Sequence, residues 1–256
     1  MLKRLLHSLL VFLFLSMMSS SMTIAKDFDT RRILITGFYD WRDLGTPPQQ
    51  TRCRDNPSCR ILAKEGLGER GYLGPLAQQL KDWKETYKPQ LKLEFALLPV
   101  TWEALGSIPR GEFDVIIHLG LGVYDSFHRI LVEDGAYNFR QGKDAIGVSR
   151  KEKIEAQAPT VLEAPSQVSK GINRALNVQL TKPFKLVRAK ARKDNVYLCN
   201  STYYEALQSL EISSYNMKNS HSIKKEAYFL HLPHREGDSD IALANAVFTV
   251  IKALID

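Results

Sequence analysis

RILITGF, residues 32–38, is an apolar, β-rich run whose last three residues are Thr36, Gly37 and Phe38. It does not alternate polar with apolar, which marks a strand buried on both faces. Two further runs read the same way: DVIIHL at 114–119 and AYFLHL at 227–232. Leu91 to Val100 reads as another strand, and Val196 to Cys199 as a short one. Helical patterns lie between them. Tyr72 to Tyr87 carries Leu73, Leu76, Leu80 and Trp83 at helical spacing. Ser201 to Glu211 predicts a second helix, and Ile241 to Ile255 a last one with Ser239 or Asp240 near its N-cap. Lys182 to Lys193 sets Leu186, Arg188, Lys190 and Arg192 on one face, the pattern of an exposed edge strand. Residues 39–60 read as a long polar loop and 139–170 as polar and irregular. Apolar strands separated by helices predict a single-domain α/β/α sandwich around a mostly parallel sheet.

Composition agrees. Of 256 residues, 44% are hydrophobic and 25% charged, enough for a sizeable core and too apolar for a disordered chain. Fifteen Gly and 11 Pro exclude collagen-like or linker-dominated chains. The net charge of +7 is modest and not gathered in one long run, so nucleic acid is not an expected partner. Residues 1–25 have the layout of a secretory signal: Lys3 and Arg4, an apolar run from Leu5 to Met18, then small residues up to Ala25. The apolar run is shorter than the roughly 20 residues a spanning helix needs. Residues 26–256 are therefore expected to be one exported domain, periplasmic or extracellular, without stable membrane insertion. An oxidising compartment makes a Cys53–Cys59 bridge the natural reading of the Pro-containing loop between them. Cys199 is then left unpaired.

Sites in such folds lie beyond the carboxyl ends of the strands. Cys199 stands there, ahead of a helix with Asn200 or Ser201 as its expected N-cap. A helix N-terminus favours the thiolate. His231, near the end of a buried strand, is a candidate partner, as base and then as acid. Glu133, after the apolar Ile130-Leu131-Val132, is a candidate for orienting the imidazole. On pattern alone, a core thiol and a satisfied core histidine account for the same residues.

Six segments in order resemble the pyroglutamyl peptidase I family of cysteine exopeptidases. Tyr197-Leu198-Cys199-Asn200 resembles its nucleophile motif, and Phe229-Leu230-His231-Leu232-Pro233 the segment with its histidine. Glu133-Asp134-Gly135-Ala136-Tyr137-Asn138 resembles the segment whose Glu completes the triad. Ile35-Thr36-Gly37-Phe38, Asn56-Pro57-Ser58 and Leu98-Pro99-Val100 resemble three more of its elements. The resemblance implies one α/β/α domain and a Cys199, His231, Glu133 triad that releases an N-terminal pyroglutamyl residue through an acyl-enzyme. It implies a peptide substrate with a blocked N-terminus and no cofactor. Members of the family associate, so a homo-oligomer is among the expectations. Phe38, Trp41 and Leu198 would line the ring pocket; Trp41 ends a run, Phe38-Tyr39-Asp40-Trp41, that departs from the family's pattern.

Other signals carry less. His231 and His234 lie on a strand followed by Pro, where their spacing does not converge as it would on a helix, so no metal is expected. Asn200-Ser201-Thr202 is a glycosylation sequon beside the expected nucleophile and reads as a chance occurrence. The basic face at Arg188, Lys190, Arg192 and Lys193 suits a solvated edge or an acidic partner. Beside the exopeptidase stand two alternatives: a fold relative with altered acyl or amide specificity, and a catalytically weak binding protein.

Overall fold

A computed structural model describes residues 30–41, 53–63, 74–106, 108–123, 125–216, 225–234 and 240–256. The leader expected at residues 1–25 lies outside them. The strands in chain order are β1 (Arg32–Phe38), β2 (Lys92–Leu98), β3 (Val115–Val123), β4 (Arg129–Glu133), β5 (Gly135–Tyr137), β6 (Arg140–Lys143), β7 (Ser149–Glu152), β8 (Val161–Glu163), β9 (Lys185–Ala189) and β10 (Glu226–Pro233). The helices are α1 (Pro57–Ala63), α2 (Pro75–Tyr87), α3 (Ser166–Leu176), α4 (Leu198–Asn216) and α5 (Asp240–Ile255).

Six strands form the central sheet in the order β2-β1-β3-β10-β4-β9. The first four run parallel, as their apolar character predicts. β4 runs antiparallel to β10, and β9 runs parallel to β4. The sheet is thus largely parallel, with a reversed pair at one edge. Residues 31–256 form one compact unit.

Strand alternation sorts side chains to two faces. Ile33, Ile35, Val115, Ile117 and Leu230 are fully buried, and this face meets α1, α2, α3 and α5. Burying each such side chain contributes about 1.5–3 kcal/mol. The opposite face carries Thr36, His118, Phe229 and His231. There Thr36 Oγ1 and His118 Nδ1 are 2.7 Å apart, and the Phe229 ring packs on His118 and on Tyr203 of α4.

Cys53 and Cys59 form the expected disulfide, with Cα atoms 5.2 Å apart. It is not confined to a loop. Cys59 lies inside α1, because Pro57 starts that helix and the Asn56 side chain accepts from the Ser58 N–H. Lys185–Ala189 is an edge strand, as the alternation predicts. Three readings are corrected. Val196–Cys199 is not a strand: α4 already begins at Leu198, and the Ser201 N–H donates to Tyr197 O at 3.1 Å. Neither Asn200 nor Ser201 is the cap; both are helical. Residues 139–170 are not irregular either. They hold the β6–β7 hairpin, β8 and the first turn of α3. In that hairpin Asp144 Oδ1 accepts from the Ile146 and Val148 N–H groups and closes the turn.

Candidate active site

Cys199 comes from the first turn of α4, whose leading N–H groups have no carbonyl partners within the helix. That turn is held by Asn200. Its Oδ1 accepts from Tyr137 N at 2.8 Å, and its Nδ2 donates to Tyr137 O at 2.8 Å and Phe139 O at 3.1 Å. An amide read from the sequence as a helix cap is a clamp onto β5 instead. With Asn200 only 4% exposed and its amide fully engaged, the folded chain offers no glycan acceptor there.

His231 comes from β10 and Glu133 from the end of β4. Their strands pair with His231 opposite Leu131, so Glu133, two residues on, is the diagonal neighbour on the same face. His231 Nδ1 lies 3.0 Å from Glu133 Oε1, and both side chains are 5% exposed. Asn195 Nδ2 donates to the same Oε1 at 3.3 Å, and the Tyr203 hydroxyl donates to the Glu133 backbone carbonyl at 3.2 Å. His231 Nε2 is buried and forms no hydrogen bond of its own. Cys199 is nonetheless close enough to act on the ring. Burial is the largest single influence and opposes charge on the imidazole. The influence of the nearby Cys199 and Glu133 together outweighs it and pushes His231 from 6.5 up to about 10. The Tyr203 phenol is raised well above its ordinary value, first by burial and then by the charges of Glu133 and Asp134, so it stays a neutral donor.

Room for this group comes from β3. His231 is in register with Gly120. A Cβ on Gly120 would stand 2.9 Å from Cys199 Sγ, and one on Gly122 2.6 Å from His231 Cγ. Any other residue at either position would push the sulfur or the imidazole away. Between them the Leu121 carbonyl accepts from Cys199 Sγ at 3.8 Å. Gly120, Gly122 and Asn195 were missed in the sequence; two glycines in a buried strand were the available signal.

The structure therefore brings Cys199, His231 and Glu133 together. The residues expected to line a ring pocket are spread around them. Phe38 ends β1, is 4% exposed and belongs to the main core. Leu198, beside Cys199 in the chain, is 3% exposed, whereas Trp41 is 39% exposed. Among the described residues, no three His, Cys, Asp or Glu side chains gather as a metal-binding group, and no helix is long and apolar enough to cross a membrane.

No family model and no curated protein matches the sequence. Solved structures do. The pyrrolidone carboxyl peptidase of the keratin-degrading bacterium Fervidobacterium islandicum AW-1 superposes with a TM-score of 0.57 at 19% identity, covering 88% of this chain and 98% of its own. The Thermococcus litoralis pyrrolidone carboxyl peptidase gives 0.55 at 20% identity, with 88% and 93% covered. Pyroglutamyl peptidase I from Bacillus amyloliquefaciens gives 0.56 at 14% identity, with 88% and 96% covered. The chain has the pyroglutamyl peptidase fold. At these identities the likeness concerns the fold alone.

Proposed function

We propose that this protein is an exported cysteine peptidase that removes an N-terminal pyroglutamyl residue. One observation carries the reading: a buried carboxylate and imidazole and a partly exposed thiol, from three separate elements, come together, with the glycines of β3 making space for two of them. A buried histidine held charged beside a sulfur is a poor way to build a core and a good way to build a nucleophile.

The steps follow from these groups. The Cys199 thiolate attacks the carbonyl of the pyroglutamyl residue. The oxyanion forms at the N-terminus of α4, where unpaired N–H groups and the helix dipole favour negative charge. The His231 imidazolium gives its proton to the departing amine, leaving a thioester on Cys199. Acylation removes the negative sulfur that had raised the proton affinity of His231. The ring is then neutral more readily and can take a proton from the attacking water. Glu133 supports the imidazolium in the first half and keeps the ring oriented in the second. Asn195 and the Tyr203 hydroxyl hold Glu133 from two sides. Of the three residues expected at the ring pocket, Trp41 is exposed and can offer an apolar face to the uncharged lactam ring, whereas Phe38 and Leu198 are too buried to touch it.

Hydrolysis of a pyroglutamyl-fluorophore amide by the purified protein, beside Cys199→Ala, tests the reading. Turnover by the parent alone supports it. Turnover by neither protein sinks pyroglutamyl specificity; fast alkylation of Cys199 would then favour another acyl substrate, and a sluggish thiol the binding-protein alternative.

A further inference from the structure

A cavity of about 480 Å³ opens beside the candidate triad, over the reversed strands β4 and β9. It borders the neighbours of the imidazole. Its wall includes Gly122, which His231 packs against, and Leu131, the cross-strand partner of His231. Its charge is one-sided. Among the described residues its lining holds Arg129, Arg188, Lys190 and Arg192 and one acid, Asp125. Asp125 is paired with Arg129, and its carboxyl is lowered first by that hydrogen bond, with a smaller contribution from Arg192 across the same space. The Arg188 side chain, in register with Val132, points to the other face of the sheet, where it meets Asp134 and Asn173 of α3, so its charge does not face the triad side. Arg192 is ion-paired with the exposed Asp194 at 3.5 Å, a solvent-screened pair. Lys190 is exposed and makes no ion pair among the described residues.

The order of the sheet says which part of a substrate would lie there. Cys199 sits against β3, and His231 stands one strand further on, in β10. The step from nucleophile to acid therefore points toward β4 and β9. The acyl group stays on Cys199, so the departing amine must come within reach of His231, and the cavity bordered by Gly122 and Leu131 is space beside that ring. A cleft lined by one sign of charge also concentrates ligands of the opposite sign.

We propose that this cavity is a leaving-group subsite for acidic peptides, receiving the carboxylates of the residues that follow the scissile bond. The inference rests on the peptidase reading for its place in the reaction, but not for its binding. The first test is calorimetric binding of two product-like peptides, Ala-Glu-Glu and Ala-Gln-Gln, to Cys199→Ala protein, which cannot turn over. The acidic peptide should bind about tenfold tighter at low salt, as expected for complementary charge. The advantage should vanish at 1 M salt, where charges are screened within about 3 Å. It should also vanish in a Lys190→Glu/Arg192→Glu variant; both side chains are exposed, so folding is preserved and a melting curve confirms it. Equal affinity of the two peptides, or a preference untouched by the double variant, overturns the subsite. The second test compares kcat/KM for pyroglutamyl-Glu-Glu and pyroglutamyl-Gln-Gln in the parent protein. Cleavage of both without preference overturns the subsite and leaves the peptidase reading standing. Binding preference without any cleavage does the reverse.

Discussion

The two parts of the central sheet are built on different terms. β1, β3 and β10 are apolar, parallel and buried on both faces, and His231 is a polar exception near the end of one of them. β4 and β9 are short and reversed, and they carry Arg129, Glu133, Lys185 and Arg188. The first part is buried nearly throughout; in the second, β4 is buried through Ile130 and Val132, while β9 is only half-buried. The candidate triad straddles the seam, taking its histidine from the apolar side and its carboxylate from the charged side. A rigid strand positions the group that moves protons, and a solvated edge supplies the charges that a substrate would meet.

Several substitutions would break or sharpen that contrast. The largest effect is expected at the nucleophile: Cys199→Ala should lower kcat/KM on a pyroglutamyl amide by at least about 10⁴-fold, measured against parent enzyme at saturating concentration. Next comes the carboxylate across the seam. Glu133→Gln should cost about 10²-fold or more, and His231→Ala combined with it should cost little beyond His231→Ala alone, because the two act as one unit. The pH profile sharpens the same point. The His231 charge is held up to about 10, so kcat/KM should fall on the alkaline side as pH rises through that region. In Glu133→Gln that limb should move to lower pH; an unmoved limb would mean Glu133 does not support the imidazolium.

Stability should divide the two halves as well. Ile117→Ala, in fully buried β3, should destabilise by about 2–5 kcal/mol in denaturant unfolding. Leu186→Ala, in half-buried β9, should cost about 1 kcal/mol or less. Equal losses would mean the edge pair is as much core as the parallel strands are. An intermediate effect is expected away from the seam. Removing the Cys53–Cys59 bridge with Cys53→Ala/Cys59→Ala should cost about 2 kcal/mol, as for closing so short a loop. It should leave alkylation of Cys199 unchanged.

The same contrast explains what the sequence could reveal. Strands β1, β3 and β10 were legible because a doubly buried strand must be apolar throughout. The edge position of β9 was legible because charge alternates with aliphatic residues along it. β4 was not, since five residues bounded by Arg129 and Glu133 do not announce a strand, still less its direction. The start of α4 was misread because Val196-Tyr197-Leu198-Cys199 has strand-like residues and no side chain at its head that caps a helix. Cys199, His231 and Glu133 stood out as a set only through resemblance. Their diagonal relation depends on the antiparallel register of β4 with β10, which no local pattern encodes. Asn195 was invisible for the same reason: its contact with Glu133 crosses 62 positions of chain.

Asn200 gives the site one more property. Its three hydrogen bonds fasten the first turn of α4 to the small ribbon of β5 and β8 rather than to the main sheet. The sulfur is therefore positioned by that ribbon as well as by β3, against which it packs. Because β5 starts only two residues after Glu133, lengthening or shortening that ribbon would bear on the thiol and the carboxylate together.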